Sequence, residues 1–76
     1  MTKAEKALRE GNTSACIQAV YVLDRWTAEQ REQFRTAFLC EDWRTVHILT
    51  MQGAHRDMAP SRMTLNHLMD ATAPES

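Results

Sequence analysis

Glycine is scarce in this chain, with only Gly11 and Gly53 in 76 residues. The two lie too far apart to form a loop whose backbone cradles phosphate, which needs clustered glycines able to approach the ligand closely. Mononucleotide and dinucleotide folds are thereby excluded. Cysteine is equally rare. Cys16 and Cys40 can form one bridge at most, far from the dense, even framework of small secreted scaffolds, so a reducing cytoplasm is the expected compartment. There is no excess of positive charge: nine Lys+Arg against ten Asp+Glu leave a formal charge of −1, whereas binding to a phosphate backbone usually shows a strong basic balance. Long apolar runs are missing too. The longest, Ala19 to Leu23, is well short of the roughly 20 residues that cross a bilayer. Residues 1–10 are too charged to read as a signal peptide. No membrane association is expected.

Strand signals are also nearly absent, because β-branched residues are scattered and no Asn-Gly or Asp-Gly turn joins two alternating runs. What is present is helical. Residues 2–10 are rich in good helix formers and end at Gly11-Asn12, which predicts a short helix with a left-handed stop. Thr13 or Ser14 can cap a central helix over about 14–25. Its Cys16, Ala19, Val20 and Leu23 share one face, with Ile17 and Tyr21 widening it. Thr27-Ala28-Glu29-Gln30 matches the capping box. The helix after it offers Phe34, Ala37 and Phe38 for burial, while Trp43, Val46 and Leu49 point roughly 120° away from that set, more than helical drift allows. A break at Cys40-Glu41-Asp42 is therefore expected, with Asp42 capping a helix of about 43–52 that stops at Gly53. One unbroken helix clamped on several sides is the alternative. Residues 53–60 read as a connection, and Ser61 caps a last helix over about 61–70 that buries Leu65, Leu68 and Met69. The expected fold is all-α: a small bundle of four to five short helices in one domain, residues 1–70, with a disordered tail at 71–76. A second copy of the chain is a plausible means of completing so small a core.

Chemistry-bearing residues are few. Cys16, Cys40, His47, His55 and His67 are the soft metal ligands, but none stands in a C-x2-C or H-x3-H pair. No metal site and no cofactor are expected. A nucleophile would pair Cys16 or Cys40 with a histidine and an acid such as Glu41, yet both thiols sit beside apolar helix positions, where cysteine is usually inert. The expectation is a protein that is not an enzyme. Glu29, Arg31, Glu32 and Arg35 read as a solvated face with weak pairs such as Glu32 with Arg35.

The informative bias is five Met, two Trp and seven Arg against two Lys, because Met, Trp and Arg are favoured at protein interfaces and Lys is depleted there. Trp26, Trp43, Arg56, Met58, Arg62 and Met63 are the candidate partner-binding residues. Arg56, Arg62 and His55 also suggest a local basic patch. The helices on either side of Gly53 roughly permit a helix-turn-helix, although their connection is longer than the usual three or four residues. Phe34-Arg35-Thr36-Ala37, Leu49-Thr50-Met51 and Pro60 resemble segments of the Hha/YmoA family of small bacterial gene regulators, which bind nucleoid-structuring proteins. The present chain has one extra helical turn between the first two groups and fewer basic residues. That resemblance implies a small regulator working through another protein. The expected function is thus a bacterial or phage-type interaction protein that binds and regulates or inhibits a larger protein or assembly. The alternative is a nucleic-acid-associated transcriptional regulator acting through a nucleoid protein.

Overall fold

The computed structural model describes residues 2–53 and 60–74, and among them every regular element is helical. In order these are α1 (Lys3–Glu10), α2 (Ser14–Arg25), α3 (Ala28–Leu39), α4 (Trp43–Gly53) and α5 (Arg62–Thr72). Each begins at a side-chain oxygen that accepts one of the free backbone N–H groups of its first turn. Thr2 accepts from Glu5, Thr13 from Cys16, Asp42 from Thr45 and Ser61 from Thr64. At α3 the capping box is complete: Gln30 N–H donates to Thr27 Oγ1 at 3.1 Å, and Thr27 N–H donates to Gln30 Oε1 at 2.9 Å.

The expected break between Phe34 and Trp43 is real, and its chemistry is visible. Glu41 has φ 58°, the left-handed conformation that ends many helices. Its N–H donates to Phe38 O at 3.1 Å, and Asp42 N–H donates to Ala37 O at 2.8 Å. These two bonds are the Schellman pattern, formed here without glycine. Asp42 then starts α4 at once, its second carboxylate oxygen accepting from Thr45 Oγ1 at 2.6 Å. Because the chain bends here, the apolar stripes of α3 and α4 meet one core instead of diverging. Phe34, Val46 and Leu49 are all buried in the same cluster, while Trp43, at the start of the α4 stripe, stays half exposed.

Several expectations need correction. Gly11 is extended, with φ −79°, so α1 does not end on a left-handed residue. What glycine supplies there is space, since a Cβ would come 2.8 Å from Cys16 Sγ and 3.1 Å from Cys16 Cβ. The buried face of α2 includes Val22 and Gln18 and turns away from Ile17, which is 60% exposed. Gly53 is the last helical residue of α4, not the residue after it. α5 continues to Thr72, and Ala71 is only 2% exposed. The helical domain therefore runs past the boundary drawn at residue 70. Ala71 has a partner surface because α1 packs on α5 and the Thr2 hydroxyl donates to Ala71 O at 3.3 Å.

The core runs from Leu8 through Ala19, Val22 and Leu23 of α2 to Phe34, Leu49 and Leu68. Two polar elements lie inside it. Thr64, fully buried, donates to Gln18 Oε1 at 2.7 Å and so joins α5 to α2. Glu5, also buried, is paired with Arg9 at 3.0 Å and Arg31 at 3.4 Å. A buried carboxylate is tolerated only when paired in this way. The charged run of α3 is thus not simply a solvated face. Arg31 also donates to Leu23 O at 2.9 Å and Arg35 to Met69 O at 2.7 Å. Each guanidinium caps the carbonyl end of a neighbouring helix, where the helix dipole favours a cation. No Glu32–Arg35 ion pair forms among the described residues.

Candidate interaction site

The six residues singled out in the sequence have different fates. Trp26 closes the C-terminus of α2 and is 6% exposed. Its ring lies 4.9 Å from Phe34, and its Nε1–H donates to Leu49 O at 3.0 Å. An indole whose polar atom and surface are both satisfied inside the fold is a core residue, and it offers no anchor to a partner. Trp43 is different. It opens α4 and is 51% exposed. Arg62 is exposed in the first turn of α5, and Met63 after it is 59% exposed. Arg56 and Met58, with His55, lie outside the described residues.

A row of aromatic rings connects the core to this surface. From Trp26 the row passes through Phe34 to Phe38 at 5.9 Å, and from Phe38 to Trp43 at 5.3 Å with the last pair edge to face. Trp43 is therefore fixed on one side by Phe38 and open on the other. Its position follows from the turn before it, because the Schellman bend at Glu41 and the Asp42 cap set where the first residue of α4 must lie. Asp42 is held ionised below the usual carboxylate range by the hydroxyl and the N–H of Thr45.

α4 packs chiefly on α3 and α2, and α5 on α2, α1 and α3. The two helices make their main contacts with other elements, and a cleft remains between them. One part, of about 390 Å³, is lined by Phe38, Trp43, Arg62, Leu65 and Asn66. Another, of about 210 Å³, lies between Trp43, Val46, His47, Thr50, Pro60 and Leu65. Trp43 and Leu65 border both. Along α3 and the Asp42 turn a shallow groove of about 630 Å³ is lined by Glu29, Glu32, Gln33 and Asp42, with Cys40. That groove carries three carboxylates, whereas no described acidic residue lines the cleft beside Trp43.

The remaining reactive groups are dispersed. Cys40 is exposed. Cys16 Sγ lies 3.8 Å from His67 Nε2, a contact between α2 and α5, and among the described residues no carboxylate hydrogen bond to either is formed. Among the described residues no three His, Cys, Asp or Glu side chains are grouped to hold a metal ion. None of the described helices is long and apolar enough to cross a membrane.

Composition and position singled out Trp43, Arg62 and Met63 in the sequence, and the structure leaves all three exposed. Sequence reasoning missed Phe38 and Leu65 as parts of a surface cleft, because their helical spacing marks them equally well as core. No family model matches the chain, and neither a curated protein nor a solved structure matches it, so the resemblance to the Hha/YmoA family rests on its few shared residues.

Proposed function

We propose that this chain is a small, non-enzymatic interaction protein of bacterial or phage type, which binds and regulates or inhibits a larger protein or assembly. The observation that carries the reading is Trp43, half exposed on the border of two adjoining grooves between α4 and α5. Tryptophan is the residue most enriched among interface hot spots, and a rigid aromatic beside a preformed cleft loses little entropy on binding. The exposed Arg62 and Met63 in the first turn of α5 belong to the same enriched set. Size supports the same reading: a core only a few side chains deep leaves little room to surround a small substrate.

The test is affinity capture from bacterial lysate with three immobilised proteins: wild type, Trp43→Ala, and Trp43→Ala with Met63→Ala. Circular dichroism would establish that all three are folded. A protein retained by the wild type and lost from both variants supports the proposal. Equal retention by all three, or no specific protein on the wild type, overturns it.

A further inference from the structure

We infer that the cleft between α4 and α5 takes an acidic peptide segment of the partner, one that carries an aromatic or aliphatic side chain as its anchor. This rests on the interaction role proposed above and specifies the chemistry of the partner. Three observations lead to it. The floor is apolar, made by Phe38 and Leu65, with Trp43 as a half-open wall. Its cation is Arg62, and no described acidic residue lines either part of the cleft. Arg62 and Arg44 have no hydrogen bond or ion pair with a described residue, whereas Arg9, Arg25, Arg31 and Arg35 are engaged within the fold, and of the two only Arg62 lines the cleft. A slot floored by Phe38 and Leu65, with that guanidinium at its rim, is complementary to an apolar anchor flanked by carboxylates, which arginine binds bidentately.

The same two groups, an aromatic ring and an arginine, also suit a base and its phosphate. The neighbouring charges favour the peptide. Glu41 and Asp42 directly precede Trp43, the groove along α3 carries Glu29, Glu32 and Asp42, and the formal charge of the chain is −1. A nucleic-acid backbone is charged at every nucleotide and needs a basic surface to follow, which a chain of this balance does not supply. A peptide with one or two carboxylates beside an apolar anchor needs a single guanidinium.

The experiment uses random 12-residue peptides displayed on phage, selected on the immobilised full chain. The best peptide is then titrated by calorimetry against the wild type, Arg62→Glu, Arg62→Lys and Trp43→Ala. The expected family is enriched in Asp and Glu around a Phe, Trp or Leu. Affinity should fall at least tenfold with Arg62→Glu and with Trp43→Ala, and by less than with Arg62→Glu for Arg62→Lys, which keeps the charge but loses the bidentate fork. Neutral or basic consensus peptides, no enriched family, or affinity unchanged by Arg62→Glu would each overturn the inference. In parallel, a labelled 20-nucleotide single strand and a 20-base-pair duplex are tested. Tighter binding to either than to the selected peptide, lost with Arg62→Glu, would overturn the peptide in favour of nucleic acid. Basic peptides that still depend on Trp43 would refute the acidic segment while leaving the interaction role intact. Equal capture from lysate by the wild type and both Trp43 variants, or no specific protein on the wild type, would refute the role itself.

Discussion

Replacing Trp26 with phenylalanine should be among the most damaging conservative changes in the molecule, while the same change at Trp43 should be nearly silent. The indole of Trp26 packs on Phe34 with ring centroids 4.9 Å apart and planes tilted by 40°, and it donates to Leu49 O across the core. Phenylalanine keeps part of the ring contact and loses the donor. A buried hydrogen bond contributes about 1 kcal/mol net. The lost ring atoms forgo about 1 kcal/mol of transfer energy. A void of roughly 40 Å³ adds about 1 kcal/mol more at the usual 24 cal/mol per Å³. The sum is about 3 kcal/mol, a large part of the roughly 4–11 kcal/mol that a chain of this length holds. Urea unfolding followed by far-ultraviolet circular dichroism reads it directly, and the melting temperature should fall by about 12–24 °C. Trp43, 51% exposed and touching Phe38 by its edge, should lose less than about 1 kcal/mol on the same substitution. In Trp43→Phe the remaining emitter is Trp26, and its fluorescence should be blue-shifted until the protein unfolds. A loss below about 1 kcal/mol for Trp26→Phe, or equal losses for the two variants, would refute the assignment of one tryptophan to the core and the other to the surface.

Glu41→Gly should stabilise the protein by about 0.5–1 kcal/mol. A side chain at φ 58° costs about 1–2 kcal/mol that glycine avoids, less the greater entropy glycine loses on folding; a lower urea midpoint would contradict the Schellman geometry. Gly11→Ala should destabilise by about 1–2 kcal/mol through its contact with Cys16 Sγ, and by less than half of that in a Cys16→Ala background, a coupling that a double-mutant cycle measures. Acidification should reveal the Arg9–Asp24 pair. Hydrogen bonding from Arg9 holds Asp24 below the ordinary carboxylate range. Its stabilisation is complete above the unfolded value near about pH 4 and is lost as the pH falls through the lower folded value. The urea midpoint of Asp24→Asn should therefore fall less steeply below about pH 4 than that of the wild type; parallel acid profiles would show that the pair contributes nothing.

Much of this architecture was legible because helix boundaries are written in local chemistry. The threonines at 13 and 27, Asp42 and Ser61 all cap the helices that follow them, and each has its oxygen within three residues of the N–H it accepts. The bend at Cys40-Glu41-Asp42 could be inferred from diverging apolar stripes, but its left-handed residue could not, since glutamate carries no such preference. Tertiary partners were the unreadable part. Nothing near Arg31 or Arg35 in sequence announces that they reach Leu23 O and Met69 O on other helices. Burial of Gln18 likewise follows from Thr64 standing opposite it, 46 residues away. At the candidate site, composition pointed to the tryptophans as a pair. Only packing separates the one whose Nε1–H finds a carbonyl inside the fold from the one left at the cleft.

That separation bears on how a domain of this size can afford an exposed tryptophan. Trp43 leaves about half of a side chain that buries up to roughly 250 Å² open to water. At about 25 cal/mol per Å², covering the remainder would contribute about 3 kcal/mol, comparable with what Trp26 contributes inside the core. Folding alone cannot collect that energy, because the Schellman turn and the Asp42 cap place the first residue of α4 at the edge of the bundle, where the ring meets Phe38 edge to face and stays 51% exposed. A partner can collect it. The ring is already oriented by Phe38, and a cleft is already open beside it, so association would spend little on ordering and keep most of the gain as affinity. The aromatic row from Trp26 to Trp43 thus differs from one end to the other along one line of contacts: its inner end is sealed in the core, and its outer end leaves about half of an indole open.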